Sequence, residues 1–182
     1  MRNKLFKLIE NFIYRRFDTI VCISEGVYKE FEIYLSEFKE KLLKIENGVP
    51  IQKIIISKTI SRKLIHSFIK DDDILIVQVS AFRVQKDHET LIKSLVHLPF
   101  EYKLVLVGDG DLRKKYEDMA KQLNITNRVF FLGLRNDVYN ILKACDIGVL
   151  SSHWEGFGLV AFDGMASGKP FLASNVSGLK EV

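Results

Sequence analysis

Hydrophobic and polar residues follow two different patterns along the chain, and the change falls near residue 73. From residue 74 onward, short runs of Val, Ile, Leu and Phe alternate with longer segments whose apolar positions recur at helical spacing. The apolar runs predict strands over residues 74–79, 103–107, 129–132, 147–150 and 170–173. The segments between them predict helices over residues 87–97, 112–123, 137–144 and 159–167.

This alternation of strand and helix predicts an α/β fold in which a parallel sheet carries helices on both faces. The strands are almost continuously apolar, which suits a sheet that is buried on both sides. We therefore expect a Rossmann-like domain over residues 74–182. Ligands of such sheets bind beyond the carboxyl ends of the strands, so the loops after the strands are where a site is expected.

Residues 1–73 lack the regular alternation and form the first of two predicted units. Their pattern predicts, in chain order, a helix over 5–13, a strand over 19–23, a strand over 42–45 and a basic amphipathic segment over 61–70. Ser24 is placed to cap a further helix that extends to about residue 38.

Composition and charge exclude several classes of protein. A net charge of +4 fits a site for anionic phosphates and equally fits a patch that faces anionic lipid. No stretch approaches the roughly 18 apolar residues of a membrane span. Residues 1–17 lack the apolar core and the cleavage site of a signal peptide.

The cysteines and histidines show no spacing that is typical of a disulfide framework or a metal site. Cys22 and Cys145 are far apart and lie in or beside apolar runs, so buried, reduced thiols and a cytoplasmic location are expected. The four histidines lack metal-ligand spacing, so no metal site is expected. No cofactor and no nucleic-acid partner are expected either.

The loop after the first strand of the second unit carries two cations, Arg83 and Lys86, just before a helix. A helix N-terminus favours anions, so the two side chains are candidates for clamping a phosphate. A solvated basic loop is an equally good interpretation. His88, two residues later, either orients this loop or lies at the surface, and the surface is favoured.

The next two loops are less specific. Gly108 and Gly110 allow a ligand to approach the backbone closely, but a tight turn is the favoured interpretation. Arg135 follows the third strand, where its backbone would pass beside a flat ring such as a nucleobase. An ordinary strand-to-helix turn is favoured there as well.

The loop after the fourth strand is the most informative. A Gly-Phe-Gly run precedes the helix that is predicted to begin at residue 159, and free backbone N–H groups at that helix end are suited to a diphosphate. These groups belong to Gly158, Leu159 and Val160, and Phe157, which precedes them, is a further candidate for the donor site. Glu155 and Asp163 lie on either side of them, and a carboxylate accepts hydrogen bonds from sugar or ribose hydroxyls. A ligand site is favoured over a capped helix with solvated acids.

Residues 155–170 complete a longer pattern, in which a second acid follows the first after seven residues and precedes a small-Met-Ala-x-Gly-x-Pro run. This pattern resembles the signature of the retaining, nucleotide-sugar-dependent glycosyltransferases with two Rossmann-like lobes, known as the GT-B type. Segments 18–24, 46–49, 107–110 and 177–182 also resemble this family. The resemblance implies that residues 74–182 are most of the C-terminal, donor-binding lobe, and that residues 1–73 are the tail of the acceptor lobe with the interdomain linker.

The resemblance also implies a role for each site residue. Arg83 and Lys86 would neutralise the leaving diphosphate in place of a metal. Glu155 would hold the hydroxyls of the donor sugar, and Asp163 would hold the ribose. The acceptor hydroxyl would then attack the same face of an oxocarbenium-like sugar, with retention of configuration. Gly108 and the backbone of Arg135 would complete the donor site.

The expected partners are a UDP- or GDP-sugar and a saccharide or lipid-linked acceptor, as in polysaccharide or glycolipid synthesis. The implied location is the cytoplasm, including the inner face of the membrane through peripheral contact. Three features depart from the family pattern: Asp163 stands where the family usually has Glu, Ala81 takes the place of an arginine for which Arg83 substitutes, and the chain is expected to be truncated at both ends.

Three alternatives to an enzyme of this type remain open. The first is a non-catalytic nucleotide-sugar-binding fragment without the acceptor lobe. The second is an epimerase or phosphorylase on the same fold, against which the two spaced acids argue. The third is a membrane-surface adaptor that uses residues 1–17 as a basic amphipathic helix.

Overall fold

A computed structural model describes residues 4–182 of the chain, with side chains from residue 6 onward, and shows a five-stranded parallel sheet. Its strands are β3 (Ile74–Val79), β4 (Tyr102–Val107), β5 (Val129–Gly133), β6 (Ile147–Leu150) and β7 (Phe171–Ala173). The helices between them are α5 (His88–Ser94), α6 (Arg113–Gln122), α7 (Val138–Ala144) and α8 (Leu159–Ala166). The predicted Rossmann-like α/β fold is confirmed.

Both faces of the sheet are covered, and this explains the continuously apolar strands. Successive side chains of a strand point to opposite faces. Ile76 and Leu104 pack with α5 and α6 on one face, whereas Val77 and Val105 pack with α7 on the other. Burial on both sides leaves no strand position in the centre of the sheet where an exposed polar residue is favoured.

The strand order is β5-β4-β3-β6-β7, so the chain reverses direction across the sheet between β3 and β6. After β3, the chain adds β4 and then β5 on one side of β3. The chain then crosses back and pairs β6 with the other side of β3, Ile76 opposite Ile147. The loops after β3 and β6 therefore diverge and leave a crevice between them, which is where open α/β sheets bind ligands.

The described part of the first region adds a small two-stranded parallel sheet and four α-helices. These elements are α1 (Lys4–Tyr14), β1 (Ile20–Cys22), α2 (Glu25–Tyr34), β2 (Leu42–Lys44), α3 (Ile51–Ile56) and α4 (Arg62–Ile65). The Ser24 side chain accepts from the Val27 N–H at 3.1 Å, so the predicted cap of α2 is confirmed. Residues 1–3 of the predicted basic helix lie outside the described residues.

One predicted helix of this region is shorter than expected, and the predicted basic amphipathic segment is only partly helical. Helix α2 ends at Tyr34 rather than near residue 38, because Leu35 leaves the helical conformation and a 3-10 helix over Ser36–Lys41 follows. The segment 61–70 is helical only over Arg62–Ile65, because His66 is extended. This bend lets Ile65 and Ile69 both enter the core of the parallel sheet.

Contacts also join the two ends of the chain. The two carboxylate oxygens of Glu181 accept from the Glu25 and Gly26 N–H groups, each at 2.8 Å, at the start of α2. A carboxylate at this position satisfies helix N–H groups and complements the helix dipole. The proposed units 1–73 and 74–182 therefore contact each other through α2 as well as through the linker that packs on the sheet.

The structure agrees with the predicted state of both cysteines, which are free and buried. Burial raises the pKa of the Cys145 thiol to about 12. Among the described residues, no helix combines the length and the apolar character needed to cross a membrane.

Candidate functional site

A cleft of about 290 Å³ opens beyond the carboxyl ends of β3 and β6. Several of the predicted site residues line this cleft, namely Lys86, Glu155, Phe157, Gly158, Leu159 and Val160. The first region also contributes Ile23 and Asn47, which follow β1 and β2. These two residues were not among the predicted site residues, although both lie in segments that resemble the family.

The centre of the cleft is an ion pair between Lys86 and Glu155, two residues 69 positions apart. The Lys86 Nζ donates to Glu155 Oε1, and the Ser152 hydroxyl donates to the same oxygen at 2.7 Å. The side chain of Lys86 is only 20% exposed, and that of Glu155 is only 8% exposed. Among the described residues, Glu155 Oε2 receives no hydrogen bond, so it can accept from a ligand hydroxyl.

Two hydrogen bonds join the two loops that carry this pair. The His153 N–H donates to the Gln85 carbonyl at 2.8 Å, and the Gln85 side-chain amide donates to the Trp154 carbonyl at 2.8 Å. Lys86 ends a short 3-10 helix over Val84–Lys86, which shapes its loop. The pair is therefore held in place by local geometry as well as by the attraction of opposite charges.

The start of α8 forms the other wall of the cleft. Gly158 has φ +76°, and a Cβ on it would lie 2.2 Å from Leu179 Cδ2, so glycine is strongly favoured there. The N–H groups of Gly158, Leu159 and Val160 donate to no acceptor among the described residues. Unpaired N–H groups and the helix dipole make this end of α8 suited to an anion.

Arg83 and Gly108 do not line this cleft. The Arg83 side chain is exposed and makes no hydrogen bond or ion pair among the described residues. Gly108 lies where the loops after β3 and β4 touch, because a Cβ on it would be 2.1 Å from the Ser80 carbonyl oxygen. Close approach of two backbones explains this glycine without a ligand.

Arg135 and Asp163 lie elsewhere around the same edge of the sheet. The Arg135 guanidinium donates twice to Asp137, at 2.7 Å for each bond, and this geometry fixes its loop before α7. Asp163 is partly buried on α8, and burial raises the pKa of its carboxyl group. Its charge acts on the phenol of Tyr139, whose pKa is raised mainly by burial and then by Asp163.

The favoured prediction that His88 lies at the surface is wrong. It is only 1% exposed, because its ring stacks on Phe82 at a centroid distance of 4.4 Å. Its Nε2 lies 3.1 Å from the Ser80 hydroxyl, directly behind the cation loop. The other alternative, a histidine that orients this loop, is therefore closer to the structure.

We expect His88 to make the stability of the fold depend on pH. Burial lowers its pKa from 6.5 to about 4, against the opposing effect of the Asp87 carboxylate. Below pH 6.5 the unfolded chain binds a proton that the folded chain does not, so stability is complete above this pH and is lost as the pH falls towards 4. The expected loss between pH 7 and pH 5 is about 2 kcal/mol.

Urea unfolding of the wild type and of His88→Phe at pH 7 and at pH 5 measures this contribution. The Phe variant keeps an aromatic ring in the stack but cannot titrate. It should lose about 2 kcal/mol less than the wild type over this pH interval. An identical loss for both proteins would show that His88 titrates normally in the folded chain.

The arrangement as a whole is suited to an anion that also carries hydroxyl groups. Lys86 and the start of α8 supply positive charge and N–H donors, whereas Glu155 supplies an acceptor for hydroxyls. An anion that enters the cleft would exchange with Glu155 as the partner of Lys86. A phosphorylated sugar derivative satisfies both halves of this site at once.

Comparison with known proteins identifies relatives for most of the chain. A family model described as "Glycosyl transferases group 1" matches residues 61–182. An uncharacterised glycosyltransferase of Methanocaldococcus jannaschii is 30% identical over 172 residues, which cover 90% of this chain and 44% of that protein. The chain therefore spans less than half the length of this relative.

Two further proteins are informative. A galactosyltransferase of Escherichia coli, named for UDP-Gal and α-D-GlcNAc-diphosphoundecaprenol, is 43% identical over 76 residues, which cover 41% of this chain and 19% of that protein. The crystal structure of HepE from Anabaena in complex with UDP and glucose superposes with a TM-score of 0.83 at 25% identity. That match covers 98% of this chain and 50% of the Anabaena protein.

Proposed function

This chain belongs to the glycosyl transferases group 1 family, and we propose that it forms the donor site of a retaining glycosyltransferase. The observation that carries this proposal is the Lys86–Glu155 pair beside the unpaired N–H groups of α8, at the point where the strand order reverses. The site offers a cation and a helix N-terminus for a diphosphate, and a carboxylate for sugar hydroxyls.

In the proposed mechanism, Lys86 and the start of α8 stabilise the negative charge on the leaving diphosphate. As the bond from the anomeric carbon to the diphosphate oxygen breaks, negative charge develops on the diphosphate. Lys86 and the N–H groups of residues 158–160 stabilise that charge without a metal. Arg83 is exposed on the same loop, and we propose that its guanidinium binds the diphosphate from the open side.

The sugar is left with oxocarbenium-like character, and Glu155 holds its hydroxyls so that one face stays open. The acceptor hydroxyl attacks the face from which the diphosphate departs, which retains the configuration, and the hydroxyl proton passes to the departing diphosphate oxygen. Asp163 is assigned to the ribose and the Arg135 backbone to the base. Neither residue lines the cleft that holds the sugar diphosphate, so these two assignments place the nucleoside outside that cleft.

The similar proteins support a UDP-sugar as the first donor to test, with GDP-sugars as the second. The Anabaena structure contains UDP and glucose, and the name of the E. coli relative specifies UDP-Gal and a lipid diphosphate acceptor. We propose a saccharide or lipid-linked acceptor, used in polysaccharide or glycolipid synthesis. Exposed apolar side chains on α1, such as Leu8 and Phe12, beside Arg15 and Arg16 are suited to peripheral contact with a cytoplasmic membrane face.

Proton NMR of the chain mixed with UDP-glucose, UDP-galactose, UDP-N-acetylglucosamine or GDP-mannose tests catalysis directly. With water as the acceptor, we expect slow release of nucleoside diphosphate and free sugar whose first-formed anomer matches the α-linked donor. The inverted anomer would contradict retention. Binding of a donor without any release would favour the alternative, a non-catalytic nucleotide-sugar-binding unit.

A further inference from the structure

A fully buried polar residue lies behind the cleft, in a strand that is otherwise apolar. Gln78 is the fifth residue of β3 and is 0% exposed. Its side-chain nitrogen donates to the Lys86 carbonyl at 3.0 Å and to the Ser80 hydroxyl at 3.1 Å. Its side-chain oxygen accepts from the Ser151 N–H at 3.2 Å. A buried amide is tolerated in a core only when its groups are paired in this way.

Ser151 completes the connection from the other loop. It follows the last residue of β6, and its hydroxyl lies 3.0 Å from three acceptors, namely the Gln78 side-chain oxygen and the carbonyls of Lys86 and Asp87. A hydroxyl has one proton, so it donates to one of these acceptors at a time. In every arrangement, the hydrogen bond ties the start of the Glu155 loop to β3 or to the end of the cation loop.

These bonds involve the backbone of Lys86 and not its side chain. The Lys86 carbonyl accepts from the Gln78 side-chain nitrogen and is one of the three acceptors within reach of the Ser151 hydroxyl, while the Lys86 ammonium group pairs with Glu155 in the cleft. The position of the ammonium group relative to Glu155 and α8 therefore depends on this buried network. Hydrogen bonds in a low-dielectric interior are strong and resist displacement by water.

We propose that Gln78 and Ser151 are positioning residues that fix the Lys86 loop against the Glu155 loop, and thereby set the affinity of the cleft for the diphosphate of its ligand. This inference rests on the proposed function, because it presumes that Lys86 binds a diphosphate. Neither side chain touches the ligand itself: both lie behind the loops whose backbones they hold.

Calorimetric titration of Ser151→Ala and Gln78→Leu with UDP and with UMP tests this proposal, with the GDP–GMP pair used if the wild type selects guanine. UDP binding should weaken roughly tenfold in each variant, the effect of losing about one hydrogen bond that holds the loop. UMP binding should change less than about threefold, because UMP lacks the second phosphate. Ser151→Thr, which keeps the hydroxyl, should restore most of the UDP affinity.

Ser94→Ala is the matched control, because its hydroxyl also donates to a backbone carbonyl, that of Leu91 at 2.8 Å, but on the far end of α5. It should leave both affinities unchanged. Equal weakening of UDP and UMP would indicate general damage and overturn the positioning role, as would unchanged UDP binding. If Gln78→Leu does not fold, Ser151→Ala decides alone. A wild type that binds neither diphosphate would instead overturn the proposed function, and this inference with it.

Discussion

Replacing Lys86 with alanine is expected to weaken the binding of UDP or a UDP-sugar by roughly 1.5–3 kcal/mol, which is the range for a hydrogen bond to a charged group. That range corresponds to a loss of affinity of roughly 10- to 150-fold. The size of the effect follows from the position of the Lys86 side chain, which is only 20% exposed, so that its charge is poorly screened by water. Isothermal titration calorimetry of both proteins without added metal measures it.

Lys93→Ala provides the matched control for this prediction. This substitution also removes one positive charge, but Lys93 lies on α5, where its side chain is 57% exposed and pairs with Glu89 on the surface. Surface ion pairs contribute little, and distant exposed charges are screened. UDP affinity should therefore stay within about twofold of the wild type. Equal losses in Lys93→Ala and Lys86→Ala would mean that net charge, rather than the Lys86 site, governs binding.

Gly108→Ala is expected to lower the free energy of unfolding by about 3 kcal/mol or more, or to prevent folding. Two causes add together. Gly108 has φ +135°, a conformation that L side chains rarely adopt, and its new Cβ would lie 2.1 Å from the Ser80 carbonyl oxygen. The new Cβ would clash with a backbone atom at the adjoining strand end, so no flexible side chain can move aside.

Two other glycines separate these causes in urea unfolding experiments. Gly168 has φ +75° but open space around it, so Gly168→Ala should lose only about 1 kcal/mol from backbone strain. Gly48 has neither a positive φ nor a neighbour within 4 Å, so Gly48→Ala should be neutral or stabilising by about 0.5 kcal/mol. A Gly108→Ala loss no larger than that of Gly168→Ala would show that the loops after β3 and β4 separate easily.

The parallel sheet was predictable because each strand is defined by its own local sequence. The strand bounds at Ile74–Val79 and Ile147–Leu150 match the predicted ranges, since runs of β-branched and aliphatic residues end abruptly at polar loops. Helix ends in the first region were less predictable. His66 is extended because Ile65 and Ile69 both reach the core of the sheet, and this tertiary packing overrides the helical pattern.

The candidate site was predictable in part for a similar reason. Lys86 and Glu155 lie in loops that a parallel sheet places at one edge, so their proximity follows from the order of the elements. The buried position of His88 does not follow from local sequence, because Phe82 and Tyr116 enclose it from two other segments. Gln78 did carry a signal, since an amide in the middle of a buried strand requires partners.

Isothermal titration of the chain with UDP, GDP, UDP-glucose, UDP-N-acetylglucosamine and GDP-mannose, without added metal, tests the central claim most directly. The account predicts saturable binding of one base series, at one site per chain, with competition between the nucleotide and its sugar derivative. Because Lys86 and the start of α8 supply the positive charge, a chelator should leave this binding unchanged. Absence of binding by every nucleotide and nucleotide sugar would contradict the assignment of the Lys86–Glu155 cleft as a donor site.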